Sequence, residues 1–378
     1  QYGYLVVDED PFSCVINMSG SQLKHSRAWN NMKRSQFEKG KKGKFNPPSF
    51  AYFYKITAKE ESNDKGSWYG YNIAVDAMLS GKAGKALFEQ GQELLESLLP
   101  HAGQALRIGI TGVPGVGKST FIEAFGLFLI EQGHRVAVLA VDPSSQLTGG
   151  SIMGDKTRMN ELAQHPDAFI RPSPSSGIMG GVARKTRETM LVCEAAGYDV
   201  VIVETVGVGQ SETMVASMVD LFLLLMLPNA GDELQGIKKG VLELADLVVV
   251  NKSDGEQESL AKTAQAEYRK ALHLLPSTKT TWTPQILRCS ALEKQGMDKI
   301  WEAVKSFQNA LQSSGEWEEK RQTQTGKWMW SLVEEGLLTN FCNHPEIQKQ
   351  IPELEQAVES GKMLPTTAAR KLLDSWQT

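Results

Sequence analysis

"LRIGITGVPGVGKST", residues 106–120, decides the fold. Its first half is a short apolar run. Its second half is a glycine-rich turn that closes on Lys118, Ser119 and Thr120. Gly112 to Ser119 fits Gly-x-x-x-x-Gly-Lys-[Ser/Thr] in full, and a helical stretch, "STFIEAFGLFLIEQG", follows. A strand, a glycine turn and a helix in that order build a phosphate-binding loop. Gly115 and Gly117 let backbone N–H groups face inward. The helix N-terminus adds its dipole. Lys118 brings a positive charge to the β and γ phosphates, and the Ser119 hydroxyl suits Mg²⁺. Gly112, Val116 and Thr120 complete the nucleotide-facing positions of the loop.

Outward from this loop, residues 106–311 alternate short apolar runs with helical stretches. The runs are "LRIGIT", "RVAVLAV", "AFIRPS", "DVVIVET", "DLFLLLML", "DLVVVNK" and "QILRCSA". Several are apolar at nearly every position, the mark of strands covered on both faces. The spacings suit right-handed crossover helices. The expected fold is α/β: a P-loop domain with a doubly wound, mostly parallel sheet and its ligand at the carboxyl ends of the strands.

"VVVNKSD", Val248 to Asp254, ends one such run and names the base. The Asp254 carboxylate can accept two hydrogen bonds from guanine N1–H and N2–H. Adenine lacks that donor pair, so GTP is favoured over ATP. Lys252 packs its stem over the base, and Asn251 ties the loop together. "CSAL", Cys289 to Leu292, follows the next run, and Ser290, Ala291 and Leu292 fit the loop whose backbone reaches the guanine oxygen.

"VIVETVGVGQSE", residues 201–212, ends a strand with Glu204 where most GTPases carry Asp. A carboxylate there can hold a Mg²⁺-bound water. Gly207 can offer its N–H to the γ phosphate and move when that phosphate leaves. "AVDPSSQLTGGSIMGDKTRM", residues 140–159, reads as a mobile switch, with Asp142 orienting the attacking water and Asp155 joining the metal shell. The expected metal ligands are therefore Ser119, Asp142, Asp155 and Glu204. "PNAGDELQGIKKG", residues 228–240, reads as a third switch, whose Lys238 could neutralise charge during phosphoryl transfer. The catalytic candidates are Lys118, Asp142, Glu204 and Lys238, and the cofactor is Mg²⁺ with GTP or GDP.

The 378 residues carry a net charge of -4, which argues against nucleic acid as the main partner. The apolar run Leu221 to Leu227 is far too short to cross a bilayer, so no membrane association is expected. The four cysteines show no Cys-x-x-Cys spacing and imply reduced thiols inside a cell. Residues 1–72 form an atypical basic segment, expected to be loosely packed or disordered. Lys24 to Pro48 holds eight Lys or Arg and one acid. Acids at Asp8 to Asp10 argue against a mitochondrial transit peptide. Residues 73–104 read as a helical extension, with helix from about Ala74 to Leu99. Residues 105–314 read as the P-loop domain and 315–378 as a helical arm. In that arm Trp330, Val333, Leu337 and Phe341 make one stripe, and further helices are expected after Pro352 and Pro365.

Together, "GITGVPGVGKST", "AVDPSS...TGGSIMGDKTRM", "VIVETVGVGQSE", "PNAGDELQGIKKG", "VVVNKSD" and "WMWSLVEEGLLTNF" resemble the MeaB/MMAA-type GTPases, long described as ArgK-like transport kinases. The resemblance runs from about Gly84 to the C-terminus. It implies a switch II turn that begins with Glu, a G domain of the dimerising class and a C-terminal dimerisation arm, hence a homodimer. It further implies a GTP-dependent chaperone of methylmalonyl-CoA mutase or a related adenosylcobalamin-dependent acyl-CoA mutase, which gates cobalamin loading and protects or reactivates the enzyme. Hydrolysis is then slow without the partner. The compartment is the cytoplasm, or the mitochondrial matrix in a eukaryote. The family's basic N-terminal helical extension is matched only loosely by "GKAGKALFEQGQELLESLLPHAG". The competing readings are a kinase or ATPase of a lysine/arginine/ornithine transport system, a metal-insertion GTPase, for which the six histidines form no cluster in the sequence, and a nucleotide-gated scaffold without catalysis.

Overall fold

The structure, a computed structural model, describes residues 90–141, 159–171, 183–205, 212–228, 240–272 and 281–376 with their side chains. For the strands within residues 2–78, for helix residues 81–89 and for residues 179–182, 211, 239 and 273 it describes the backbone alone. The chain divides into two compact units, residues 1–97 and 98–378.

Along the first unit the backbone forms three antiparallel hairpins. Tyr2–Val7 (β1) pairs with Asp10–Val15 (β2), Glu38–Gly40 (β3) with Gly43–Phe45 (β4), and Tyr52–Asn63 (β5) with Gly66–Met78 (β6). Helix α1 then runs Gly81–Leu98. It begins seven residues after Ala74, where the helical pattern starts in the sequence. Tyr69, Tyr71, Ile73 and Val75 recur at every second position, which is the period of a strand, and β-branched and aromatic residues favour that state.

In the second unit each of the seven apolar runs forms a strand. These are Leu106–Gly112 (β7), Val136–Val141 (β8), Ala168–Arg171 (β9), Val200–Thr205 (β10), Leu221–Met226 (β11), Leu247–Val250 (β12) and Gln285–Arg288 (β13). They make one sheet in the order β13-β12-β11-β7-β10-β8-β9. Every neighbouring pair is parallel, so the sheet is wholly rather than mostly parallel. The chain starts this sheet at β7, builds out to β9 on one side and to β13 on the other. The strand order reverses beside β7, and the phosphate loop leaves its carboxyl end there.

Helices cover both faces: Lys118–Glu131 (α2), Met179–Ala195 (α3), Ser211–Ala216 (α4), Lys239–Leu244 (α5), Glu258–His273 (α6) and Met297–Ser314 (α7). On one face Ile108, Ile110, Val138 and Ile202 pack under Phe121, Phe125, Trp301 and Phe307. On the other, Leu139, Val201, Val203 and Phe222 pack under Met190, Val215 and Val219. Alternate residues of one strand thus serve opposite cores, which explains the unbroken apolar runs. Burying each large side chain contributes about 1.5–3 kcal/mol. Gly109 lies where the second layer comes closest: a Cβ there would meet Phe222, Val215 and Val219 at 2.9 Å.

Gly315, in a left-handed conformation (φ 82°), turns the chain from α7 into the arm. The arm is Glu316–Asn343 (α8), Pro345–Glu359 (α9) and Pro365–Trp376 (α10). Pro365 opens its helix as its sequence position suggests. Pro352 does not: α9 starts at Pro345 and carries Pro352 in its interior. Buried Ile347 and Leu354 anchor the helix on either side of the exposed Pro352, and that packing outweighs the missing backbone donor.

The first turns of α8 lock onto the amino ends of the strands. Arg321 makes a two-pronged pair with Asp220, at 2.7 Å (Nε to Oδ1) and 2.6 Å (Nη2 to Oδ2). It also donates to the carbonyls of Ala105 (2.7 Å) and Gly103. Asp220 accepts from Arg107 N at 2.8 Å, and Arg107 pairs with buried Glu194 at 2.6 Å. Lys320 lies 3.7 Å from Asp246, which accepts from Phe222 N at 2.9 Å. The sequence signal for this layer is an Asp directly before each of two strands: Asp220 and Asp246. Among the described residues no helix is long and apolar enough to cross a membrane.

Candidate functional site

The site forms at the carboxyl ends of β7, β10, β12 and β13. Gly115 (φ 82°) and Gly117 (φ 92°) both adopt left-handed backbone that a side chain would strain. Gly117 is also fixed by space, since a Cβ there would sit 3.0 Å from Asn251 Nδ2. Lys118 opens α2 and folds back into the loop, with Nζ 2.7 Å from Gly112 O and 3.4 Å from Val113 O. Burial holds its ammonium pKa below the ordinary lysine value, opposed by the negative charges of Glu204 and Glu212. Ser119 is half-buried beside it, and Thr120 is exposed.

Glu204 lies near the carboxyl end of β10 and is only 4% exposed. Its neighbour Thr205 donates to Thr111 Oγ1 at 2.8 Å, fully buried, and so ties the ends of β10 and β7. This threonine pair and Glu212, in the first turn of α4, are absent from the sequence-derived site. The signal for the pair was a Thr near the end of two apolar runs, readable only once the strands are known to be neighbours.

Asn251 joins three loops. Its Nδ2 donates to Val116 O in the phosphate loop at 2.9 Å. Its Oδ1 accepts from Ala291 N at 3.0 Å and from the Cys289 thiol at 3.4 Å. Burial pushes the Cys289 thiol up to about 12, so it remains a donor at neutral pH. Lys252 takes a left-handed backbone (φ 57°), which costs about 1–3 kcal/mol in a non-glycine residue. That turn brings its stem toward Gly117. Asp254 accepts from the Ser290 hydroxyl, so the loops after β12 and β13 are bonded to one another. Ser253 N reaches Cys289 O at 3.0 Å and reinforces that link. Leu292 is 79% exposed at the rim.

The structure therefore brings together Gly112, Gly115, Val116, Gly117, Lys118, Ser119, Glu204, Asn251, Lys252, Asp254, Ser290 and Ala291, with Thr120 and Leu292 at the edge. Asp142, Asp155, Gly207 and Lys238 lie outside the described residues. Among the described residues no group of three or more His, Cys, Asp or Glu side chains is placed to hold a metal ion.

Comparison with known proteins identifies the family. The family profile described as "Methylmalonyl Co-A mutase-associated GTPase MeaB" matches residues 79–346. A second profile, "Pam3 phage gp34-like protein", matches residues 1–104. A probable GTPase of Mycobacterium tuberculosis is 54% identical over 286 residues, 76% of this chain and 85% of its own. GTPase ArgK of Escherichia coli is 51% identical over 286 residues, 76% of this chain and 86% of its own. The mouse (Mus musculus) protein named "Methylmalonic aciduria type A homolog, mitochondrial" is 52% identical over 285 residues, 75% of this chain and 69% of its own. A solved structure described as an LAO/AO transport system kinase superposes with a TM-score of 0.62 at 44% identity, covering 79% of this chain and 89% of that one. With the family profile matched over most of the chain and relatives above 50% identity over three quarters of it, the chain belongs to the MeaB family of GTPases.

Proposed function

We propose that this GTPase is a nucleotide-driven chaperone of an adenosylcobalamin-dependent acyl-CoA mutase, with methylmalonyl-CoA mutase as the first candidate. It gates cobalamin loading and protects or reactivates the mutase. The observation that carries this reading is the match to a mutase-associated GTPase family across residues 79–346, together with the bonded phosphate and base loops. In this reading Lys118 and the loop N–H groups hold the phosphates, and Asp254 reads guanine beside the loop of Ser290, Ala291 and Leu292. Mg²⁺ fits the donors present: the Ser119 hydroxyl and the buried Glu204 carboxylate are hard oxygens. The metal supplies charge neutralisation on the phosphates. Asp142, Asp155, Gly207 and Lys238 complete the switches.

The arm is the surface for a second copy. Met329, Trp330, Val333, Leu337 and Leu338 leave an apolar face of α8 exposed in one chain, with Trp330 at 61%. The protein works in the cytoplasm, or in the mitochondrial matrix of a eukaryote. A second reading, phosphate transfer to a transport protein, has the name of the structural relative in its favour.

Single-turnover hydrolysis of γ-labelled GTP, with and without purified mutase, tests both. The expected result is free phosphate only, released faster with the mutase. Label on a protein would favour the kinase, and no mutase effect in any nucleotide state would remove the chaperone.

A further inference from the structure

The arm and the nucleotide site occupy opposite ends of the same strands. Arg321 of α8 grips the amino end of β7 through the carbonyls of Gly103 and Ala105. It grips the amino end of β11 through Asp220, whose Oδ2 also accepts from Arg107 N in β7. At the other end of β7, Gly112 O accepts from the Lys118 ammonium. At the other end of β11, Met226 O accepts from Asn251 N at 2.9 Å. The two strand ends also touch: a Cβ on Gly112 would meet Leu225 O at 2.7 Å. A parallel strand rises about 3.3 Å per residue, so these are stiff struts roughly 20 Å long. Close packing on both faces leaves them little room to bend.

We propose that Arg321 is a coupling residue, which makes α8 move as one body with β7 and β11 and so passes the nucleotide state of the P-loop and Asn251 to the arm. The bond pattern favours this over simple anchoring. One guanidinium reaches two backbone carbonyls and one carboxylate, and so spans β7, which carries the phosphate loop, and β11, whose far end bonds Asn251 N through Met226 O. Neighbouring contacts reinforce the same edge: Gln324 Nε2 donates to Val219 O at 2.8 Å, and Arg187 donates to Ser217 O at 3.0 Å while its guanidinium lies 5.6 Å from the Trp328 ring. Burial disfavours the Arg321 charge, but bonding to Asp220 and the charges of Asp220, Glu194 and Glu318 raise its pKa overall. The guanidinium therefore stays ionised at any working pH. The proposal rests on the GTPase assignment but not on the identity of any partner.

The test is amide hydrogen exchange of the full-length protein with GDP and with a non-hydrolysable GTP analogue. The wild type is expected to show different exchange in residues 322–343 for the two nucleotides. The double variant Asp220→Asn/Arg321→Met leaves no unpaired buried charge. It is expected to bind GDP within about threefold of wild type, to hydrolyse GTP at the basal rate, and to lose the nucleotide-dependent difference. A purely structural anchor would instead raise exchange equally in both nucleotide states. Arg321→Lys is the second variant should the first misfold: it keeps the charge pair, drops the carbonyl contacts, and should shrink the difference. An unchanged difference in either folded variant, or no difference in the wild type, overturns the proposal. Failure to bind GDP at all would instead count against the nucleotide site.

Discussion

Asn251 Nδ2 donates to the backbone carbonyl of Val116 at 2.9 Å, across 135 positions of sequence. This bond makes the phosphate loop and the Asn-Lys-x-Asp loop after β12 one object. The same side chain holds Ala291 N through its oxygen, so one amide sets the spacing between the phosphate-loop motif and the loops after β12 and β13.

Asn251→Ala would leave two buried backbone groups unpaired. Each such loss costs about 1–3 kcal/mol. Affinity for GDP and GTP should fall together, by roughly 10- to 100-fold, in a fluorescent-nucleotide titration. Loss of one nucleotide alone would mean that Asn251 does not act through loop spacing.

Glu204→Ala separates chemistry from binding. The carboxylate is buried at the end of β10, close enough to Lys118 to affect its charge. Mg²⁺-dependent hydrolysis should drop about 100-fold or more. GDP affinity, measured on the same preparation, should change less than about threefold. Equal losses would make Glu204 a structural residue.

Lys118→Met should abolish hydrolysis and alter the pH dependence of stability. Burial lowers the folded-state pKa of Lys118 below its unfolded value of 10.5. Below the folded pKa the buried charge costs stability in full. That cost is relieved as pH rises through the folded pKa toward 10.5, because the unfolded chain then binds more protons. Urea denaturation of nucleotide-free protein should therefore show the wild type gaining on Lys118→Met between pH 7 and pH 10. A gap that is constant with pH would place the ammonium in water.

Trp330→Glu with Leu337→Glu tests the arm. Both side chains are exposed in the single chain, so each protomer should still fold and bind GDP as the wild type does. Light scattering should give half the mass of the wild type. A wild type that already scatters as a monomer would refute the dimer.

Gly109→Ala probes the fold without touching the site. Its Cβ would meet three side chains at 2.9 Å. Overpacking of this kind typically costs about 1–3 kcal/mol, readable as a lower denaturation midpoint with unchanged nucleotide affinity.

The sequence by itself determined the seven strands, the phosphate loop, the identity of the base and the family. Those signals are contiguous: an apolar run, a glycine spacing or a four-residue motif carries its own physics. It misplaced the start of α1 and the role of Pro352, because alternation and flanking anchors outweigh local helix signals. Only the tertiary structure decided that Thr111 meets Thr205, that Asn251 bridges Val116 and Ala291, and that Arg321 clamps Asp220. Each of these joins residues 40 to 135 positions apart. Strand order and helix packing create such contacts, and neither is written in any single stretch of the chain.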